Sequence, residues 1–417
     1  MWLIENVKIL DAQTCLDNAC VVIDGNRFVY VGDEHNMPPL SIDKTTDGQG
    51  SFMLPGFVNA HTHVPMTLFR NAADDLSLHD WLFTRIFPME ERLTAESAYW
   101  SSMLAIAEML RFGVTAFNDM YFFVDDIARA AAESGIRATL ARGVTGDNYI
   151  TVLSETRELY TKWHNAENGR IRIAVSPHAE YTNDEPSIRA ALDLANELDI
   201  PIHTHISETR KEHEECLAKY GKTPLQWYNS IGAMKNALLA HCVMVNDEDI
   251  ELIKRNNCSV LHCPGSNMKL ASGFAPIPKM LEEGINVCLG TDGAASNNAL
   301  NIQREMYLAS VIHKGHTGDP TAVTAREALT MASQAGARAL SIDAGLIKEG
   351  MLADFILVDT QSPNMQPPHD VASACVYSMQ PDDVRMTCVD GHVLYNNGAY
   401  TTIDIEKIRY MVNQIRV

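Results

Sequence analysis

Residues 54–63 read Leu-Pro-Gly-Phe-Val-Asn-Ala-His-Thr-His, a short apolar run that ends in two histidines one residue apart. In a β-strand, side chains two residues apart point to the same face, so His61 and His63 can be directed at one point in space. Two neutral imidazoles beyond the end of a buried strand suit a borderline metal ion such as zinc. The same pattern is also compatible with an ordinary polar strand end. The residues at the ends of the other strands are needed to distinguish this from a metal site.

Downstream of this segment, strand patterns alternate with amphipathic helix patterns. The predicted strands are 54–60, 114–120, 136–143, 171–176, 201–205, 237–241, 258–262 and 286–289. Eight strands in repeated β-then-α order predict a parallel (β/α)8 TIM barrel. A doubly wound open sheet is the alternative, but no Gly-x-Gly-x-x-Gly follows the first strand.

Both ends of the chain have a β character. Asp24-Gly25-Asn26 separates two strand patterns and predicts a hairpin, and residues 350–359 and 389–396 repeat the strand-and-turn pattern. Neither end alone is large enough for a stable sheet domain, so we expect the termini to pair into one small β-sandwich domain. The predicted division is 1–53 and 346–417 for the β-sandwich domain, and 54–345 for the barrel.

The composition excludes several classes of protein. The chain has 417 residues and a net charge of −20, which argues against binding of nucleic acid or of an anionic membrane through bulk electrostatics. Its nine cysteines are an odd number without a Cys-x-x-Cys pair, so a disulfide framework is not expected. The first residues lack a signal-peptide pattern and no apolar run is long enough to span a bilayer. We therefore expect a cytoplasmic protein without membrane partners.

Histidines and carboxylates follow many of the predicted barrel strands. Because the carboxyl ends of barrel strands converge on one face, these side chains are expected to meet there. A single histidine is usually an ordinary core or loop residue, but the same chemistry at the ends of five strands indicates a site. The residues concerned are His61, His63, His178, His203, His205, Glu208, His241, His262 and Asp292.

Three of these histidines and one carboxylate form a plausible metal site: His61, His63, His205 and Asp292. A metal there would activate water by lowering its pKa to about 7. His203 is the alternative to His205 as the third histidine ligand. We favour His205 because of its spacing to Glu208. The fourth strand ends in Ser-Pro-His without a lysine that could bridge two metals, so one divalent ion is expected, zinc in the first instance, with iron or manganese as alternatives.

The remaining polar residues suit proton transfer. Glu208 follows His205 by three residues and can protonate a ring nitrogen and then a leaving amine, which is the acid/base role that deaminases require. Asp292 can accept the proton of the attacking water. His241 can orient that water or stabilise charge that develops on it.

At the level of motifs, the sequence resembles the amidohydrolase superfamily, and within it the 5'-methylthioadenosine/S-adenosylhomocysteine deaminases. The resemblance covers nearly the whole chain, and its most specific segments are 55–63, 65–70, 80–83, 205–209, 262–270 and 289–298. It implies a metal-dependent hydrolase barrel in which His61, His63, His205 and Asp292 are the zinc ligands.

The same resemblance implies roles for substrate-binding residues. Glu208 and Asp292 are implied as the proton-handling pair that also contacts the purine, and His178 as a further purine contact. Glu90 is implied as the carboxylate that holds the ribose hydroxyls, which fits because a carboxylate accepts two hydrogen bonds from a vicinal diol. Arg142 is implied as a contact to the substrate tail, although a salt-bridged arginine on the barrel rim would look the same.

One departure from the family pattern bears on the substrate. Some relatives carry a second arginine about a dozen residues after the position of Arg142, suited to a homocysteine carboxylate. Here residues 151–154 are Thr-Val-Leu-Ser, and the nearest arginine is Arg157. S-adenosylhomocysteine is thereby a weaker expectation than 5'-methylthioadenosine, adenosine or 5'-deoxyadenosine. The expected reaction is hydrolytic deamination of the adenine ring at C6, giving the inosine-type product and ammonia.

Two rival functions remain at this stage. The first is another reaction of the superfamily, deamination or dechlorination of a free base, a pterin or a triazine, for which Glu90 would have no ribose to hold. The second is a catalytically inactive scaffold, which would be expected to have lost metal ligands, whereas all four are present. The sequence leaves the oligomeric state open, a homo-oligomer included.

Overall fold

The computed structural model describes residues 1–416 and contains one eight-stranded sheet and a ring of eight further strands. In chain order the strands are β1 (Trp2–Leu10), β2 (Cys15–Asp24), β3 (Arg27–Asp33), β4 (Lys44–Pro55), β5 (Phe57–Thr62), β6 (Val114–Tyr121), β7 (Arg137–Val144), β8 (Ile171–Pro177), β9 (His203–Ile206), β10 (Leu238–His241), β11 (Ser259–His262), β12 (Asn286–Leu289), β13 (Phe355–Val358), β14 (Val384–Val389), β15 (His392–Asn396) and β16 (Ala399–Tyr400).

Helices connect the strands of the ring. Two of the longer ones begin at Thr94 and Asp184, whose side-chain oxygens accept the N–H of the third helical residue and so satisfy a donor that the helix itself leaves free. The α-helices are Leu78–Trp81, Phe87–Glu90, Ala95–Arg111, Val124–Ser134, Tyr149–Trp163, Ala166–Gly169, Glu185–Leu198, Arg210–Tyr220, Pro224–Ser230, Asp247–Arg255, Pro264–Lys269, Ile277–Glu282, Ile302–Thr317, Ala325–Ala332, Gln334–Ala339, Val371–Ser373 and Ile405–Gln414. Within residues 1–416, none of the helices combines the length and the apolar composition needed to cross a bilayer.

The terminal sheet joins both ends of the chain. Its strand order is β16-β15-β14-β13-β4-β1-β2-β3, in which β1 and β4 are parallel and the other neighbours antiparallel. The hairpin between β2 and β3 turns at Gly25, whose φ of +57° lies in the region that glycine tolerates best. The expectation that the termini pair is confirmed, because β13 from the tail lies directly beside β4.

The ring is a closed (β/α)8 barrel. Strands β5 to β8 and strands β9 to β12 each pair in parallel in chain order. The two halves meet where the Val175 N–H donates to the Pro201 carbonyl, at 3.0 Å, and where the Asp292 N–H donates to the His61 carbonyl, at 2.9 Å. The predicted barrel is therefore confirmed, and the carboxyl ends of all eight strands lie on one face.

The first barrel strand begins later than the sequence predicted. Leu54 and Pro55 belong to β4 and pair with Ile356 and Phe355 of the terminal sheet, whereas β5 starts at Phe57. The break lies at Gly56, where a Cβ atom would stand 2.2 Å from the Thr115 side chain. Only glycine permits this close approach. The apolar run is therefore divided at Gly56, with Leu54 and Pro55 in the terminal sheet and Phe57 onward in the barrel. The division into folding units at residues 53 and 345 stays a prediction.

All nine cysteines have free thiols, in agreement with the expectation that no disulfide framework is present. Eight of them are buried and only Cys15 is exposed. Burial raises the pKa of the Cys216 thiol to about 12 and that of the Cys20 thiol to about 11. These side chains therefore behave as small apolar residues of the core.

Arg137, at the start of β7, ties the barrel to the terminal sheet. Its guanidinium donates to Asp354 through Nε at 2.5 Å and through Nη2 at 3.1 Å, and Nη2 also donates to Asp390 Oδ1 at 2.5 Å. Arg137 is only 3% exposed. The burial of all three charges means that their mutual pairing offsets the cost of removing them from water.

Replacement of Arg137 by methionine is expected to lower the free energy of unfolding by about 3–5 kcal/mol, because two buried carboxylates lose their cation. Arg111→Met is the matched control. Arg111 also pairs across the same boundary, with Asp382 at 2.6 Å, but both side chains are exposed, so the expected loss is below about 1 kcal/mol. Urea unfolding followed by circular dichroism measures both values, and equal losses would contradict the assigned role of burial.

Candidate active site

The four predicted metal ligands meet at the carboxyl ends of three barrel strands. His61 lies in β5, His63 directly follows β5, and His205 lies in β9. Ligating nitrogens of these three buried histidines lie within 4.8 Å of one another. Asp292 lies beyond the end of β12, and its Oδ1 is 3.2 Å from His63 Nε2 and 3.7 Å from His61 Nε2.

Backbone carbonyls fix the orientation of two of the imidazoles. His63 donates its Nδ1–H to the Met120 carbonyl at 2.6 Å, and His205 donates its Nδ1–H to the His178 carbonyl at 2.9 Å. The Nε2 atoms of these two rings therefore face each other at 3.2 Å. Hydrogen bonds of this kind hold the tautomer and the ring plane that a metal ligand needs.

His203 lies behind the cluster rather than in it. Its Nε2 is 2.9 Å from His61 Nδ1, and its Nδ1 is 3.3 Å from the Asn118 amide nitrogen. Burial lowers the pKa of His203 to about 3, so its ring is neutral. Of the two histidines that the sequence left as rivals, the structure places His205 with His61 and His63.

Asp292 is held in place by the segment that precedes it. Gly290 passes so close to β5 that a Cβ atom would stand 2.7 Å from the His61 Cβ atom. Asn59 then pairs with Thr291 through two hydrogen bonds, of 2.8 and 2.9 Å. These contacts fix the end of β12 against β5 and bring the Asp292 carboxylate beside the imidazoles.

The two oxygens of the Asp292 carboxylate have different hydrogen-bond partners. Oδ2 accepts hydrogen bonds from Ser266 Oγ at 2.6 Å and from Ser296 Oγ at 2.7 Å. Oδ1 accepts the Gly293 N–H at 2.7 Å and faces the histidines. Burial alone would raise the pKa of Asp292, but the hydrogen bond and charge of His63 hold it well below the usual range.

The chemistry of this donor set fits a divalent metal ion. His61 Nε2 is fully buried and has no hydrogen-bond partner among the described residues, although it is only 3.7 Å from Asp292 Oδ1. A buried polar atom without a partner costs free energy that a bound cation would recover. Three imidazoles and one carboxylate are ligands that zinc, iron and manganese accept.

Glu208 and His241 flank the cluster. Glu208 Oε2 is 3.8 Å from His241 Nε2, and His241 Nδ1 is 2.8 Å from Asn267 Oδ1. Burial raises the pKa of Glu208 to about 7. A carboxyl group with a pKa near neutrality can accept a proton and return it, which is what general acid/base chemistry requires.

A partly open cavity lies above these residues. Its floor is polar and its walls are largely apolar. It is lined by His63, Met66, Leu78, Trp81, Leu82, Phe87, Glu90, Met120, Tyr121, Phe122, Gly143, Thr145, His178, Tyr181, Thr182, His205, Glu208, His241 and Asp292.

Two further predicted substrate-binding residues, Glu90 and His178, also line this cavity. Glu90 accepts the Tyr121 hydroxyl at 2.7 Å, and burial raises the pKa of Glu90 to about 7. His178 Nδ1 is 3.1 Å from Thr182 Oγ1, and burial lowers the pKa of His178 to about 4. His178 is therefore a neutral ring with Nε2 free of protein hydrogen bonds within the described chain.

Arg142 lies outside this cavity, in an adjoining outer cleft. We define the outer cleft by its lining residues: Phe87, Glu90, Glu91, Leu93, Phe122, Phe123, Val124, Asp125, Asp126, Arg142, Thr145, Asp147, Glu155, Glu158, Leu159 and Lys162. Arg142 lies over the Phe122 ring at 4.7 Å, and its Nε is 3.5 Å from Glu155 Oε2. A direct contact of Arg142 with substrate stays a prediction.

Sequence reasoning assigned no role to several residues that support the site. Asn59, Ser266 and Asn267 all lie within the motif segments, but only their contacts show which functional side chain each one holds. Ser296 also lies within a motif segment and has the same kind of role. The signal available in the sequence was that each of these polar residues lies in a motif segment that also contains, or lies close to, a predicted site residue.

Comparison with known proteins agrees with this geometry. Residues 52–394 match the amidohydrolase family. The chain is 43% identical, over 99% of its length and 97% of the relative, to the 5-methylthioadenosine/S-adenosylhomocysteine deaminase of Thermoanaerobacter pseudethanolicus. It superposes with a TM-score of 0.95 and 31% identity on an adenosine deaminase from Xanthomonas campestris with bound zinc, covering 99% of this chain and 97% of that one.

A third comparison is with a protein that is named for a different reaction. The zinc-complexed atrazine chlorohydrolase from Arthrobacter aurescens superposes with a TM-score of 0.93 and 25% identity, covering 99% of both chains. The resemblance that the motifs indicated is thus confirmed. The chain belongs to the amidohydrolase family and is a hydrolase of C–N bonds of the deaminase type.

Proposed function

We propose that the protein is a metal-dependent deaminase of adenine nucleosides, which hydrolyses the amino group at C6 to give the inosine-type product and ammonia. The observation that carries this proposal is one cavity with a buried carboxyl, Glu208, beside the histidine cluster and a second, half-buried carboxyl, Glu90, also in its lining. The names of the relatives, 5-methylthioadenosine/S-adenosylhomocysteine deaminase and adenosine deaminase, support the same substrate class.

His61, His63, His205 and Asp292 would hold one divalent ion. Zinc is our first choice because the Xanthomonas structure contains it, with iron or manganese as alternatives. When bound, such an ion lowers the pKa of water and so makes a nucleophile available at neutral pH.

The residues of this chain then handle the protons. Asp292 Oδ1 faces the histidines and can accept the proton of the attacking water. Glu208, with a pKa of about 7, delivers a proton to ring N1, takes up the proton of the new C6 hydroxyl and passes it to the leaving amine; the proton that Asp292 accepted from the water then restores Glu208. His241, held through Nδ1 by Asn267, can direct Nε2 toward the attacking water and stabilise charge that develops on its oxygen.

The remaining cavity residues fit a purine nucleoside. Glu90 has one oxygen engaged by Tyr121 and can accept hydrogen bonds from the two ribose hydroxyls. His178 presents a neutral ring to the purine edge. The apolar wall of Leu78, Trp81 and Phe87 suits the rest of the ring system.

The charge of the outer cleft favours an uncharged 5' substituent. Six acidic residues line the cleft in addition to Glu90, against Arg142 and Lys162. Both cations are already paired, Arg142 with Glu155 and Lys162 with Asp125. A carboxylate such as that of S-adenosylhomocysteine would enter a negative field, so 5'-methylthioadenosine, adenosine and 5'-deoxyadenosine are the better candidates.

The purified, metal-assayed protein is expected to deaminate 5'-methylthioadenosine, seen as loss of adenine absorbance, with at least about tenfold higher kcat/KM than S-adenosylhomocysteine. Tenfold corresponds to about 1.4 kcal/mol, a modest charge effect in a partly solvated cleft. No turnover of any adenosine analogue would refute the substrate class.

The variant Glu155→Gln tests the charge argument within the same assay. It releases Arg142 from its partner and removes one negative charge. The ratio of kcat/KM for 5'-methylthioadenosine to kcat/KM for S-adenosylhomocysteine is therefore expected to decrease. Glu158→Gln, also in the cleft but without a salt bridge to Arg142, is the control for charge alone.

Glu208→Gln is expected to retain about one metal ion per chain by elemental analysis and to lose at least about 100-fold in kcat, because the amide cannot carry the proton. Glu305→Gln is the control, since Glu305 is another buried carboxyl whose pKa is raised to about 7 but which lies outside the cavity lining. Undiminished activity of Glu208→Gln would remove Glu208 from proton transfer.

Glu90→Ala is expected to raise KM for nucleosides by about 10- to 100-fold, the loss of one or two charge-assisted hydrogen bonds. Steady-state kinetics on a nucleoside and on the matching free base measure the effect. If Glu90→Ala leaves the steady-state kinetics on both substrates unchanged, Glu90 holds no ribose. The rival reaction on a free base, pterin or triazine then gains support.

A further inference from the structure

The backbone that carries Glu208 converges on one buried carboxylate. Ser207 N–H donates to Glu212 Oε1 at 2.5 Å, and the N–H groups of Glu208 and Thr209 donate to Glu212 Oε2 at 2.6 and 3.2 Å. Glu212 is only 4% exposed and lies in the first turn of the helix Arg210–Tyr220. Three consecutive backbone donors on one side chain are more than the helix start needs, since Thr209 already caps it.

The same backbone has an unusual conformation. Ser207 has a φ of +52°, in the left-handed region that costs a non-glycine residue free energy. Such a conformation persists only where surrounding contacts enforce it. Glu212 supplies these contacts on both sides of the peptide bond that joins Ser207 to Glu208.

A second buried acid contacts Glu212 from the neighbouring loop. Glu180 is 3% exposed and begins the turn Glu180–Thr182, two residues after His178. Its Oε2 has no hydrogen-bond partner among the described residues. Burial, followed by the charge of Glu212, raises the pKa of Glu180 well above its ordinary value. Glu180 accepts none of the backbone N–H groups of residues 207–209, all three of which donate to Glu212.

We propose that Glu212 is a positioning residue for Glu208. The inference rests on the proposed role of Glu208 in proton transfer. Glu212 is not among the residues that line the cavity, so it acts only through the backbone that carries Glu208.

Isosteric amides at the two buried acids test this role. Glu180→Gln is the matched control, because Glu180 accepts none of the backbone N–H groups of residues 207–209. Glu212→Gln replaces one acceptor oxygen by an NH2 group, which faces backbone N–H donors and leaves at least one of them unsatisfied. An unsatisfied buried donor next to a strained residue is expected to shift the Glu208 backbone.

The experiment compares metal-loaded wild-type protein, Glu180→Gln and Glu212→Gln with 5'-methylthioadenosine. Glu212→Gln is expected to lower kcat by about 100-fold, as for a general acid displaced by about 1 Å, with KM within about threefold and one metal ion retained. Glu180→Gln is expected to stay within about threefold of wild type in both constants. If Glu212→Gln does not fold, Glu212→Asp, whose shorter carboxylate recedes from the donors, takes its place with the same expected direction.

Hydrogen exchange gives a readout that does not depend on activity. The amides of residues 207–209 are expected to lose protection in Glu212→Gln and to keep it in Glu180→Gln. Wild-type kcat in the position-212 variant, equal losses in both variants, or unchanged protection of 207–209 would overturn the inference. If the wild type deaminates no nucleoside, the proposed function fails, and the exchange measurement alone decides the role of Glu212.

Discussion

The hydrogen bond from the Asp292 N–H to the His61 carbonyl closes the barrel, and the site exists only because that bond forms. It joins the first and last strands of the ring, which the chain order keeps far apart. Asn59 and Thr291 reinforce the joint. Once these two strands are in register, a carboxylate from one and two imidazoles from the other have no freedom to lie elsewhere. Assembly of the predicted metal ligands His61, His63 and Asp292 is thus a consequence of ring closure, not a separate event.

Burial has opposite consequences for the acids and the bases of the cavity. It raises the pKa of Glu208 and of Glu90 to about 7, and it lowers that of His178 to about 4. The physical cause is the same, because a low-dielectric environment disfavours whichever form carries charge. At neutral pH, Glu208 and Glu90 are therefore partly protonated and His178 is uncharged.

The barrel, its eight strands and the convergence of His61, His63, His205 and Asp292 could be predicted because each depends on local periodicity and strand order. Other features could not. The break at Gly56 depends on the distant Thr115 side chain, and the pairing of Arg142 with Glu155 depends on how a helix packs. The contacts of Glu212 with the Glu208 backbone follow from a left-handed residue, Ser207, that no propensity would suggest.

The buried link of Arg137 to Asp354 and Asp390 has a consequence for biosynthesis. On the ribosome, β7 emerges long before the two acids that neutralise its guanidinium, and β4 waits even longer for its neighbour β13. A nascent barrel therefore carries an uncompensated cation and an unpaired strand edge until the segment from Asp354 to Asp390 has been translated. Premature termination before residue 354 leaves both defects in place, so truncated products are natural targets for chaperones and proteases.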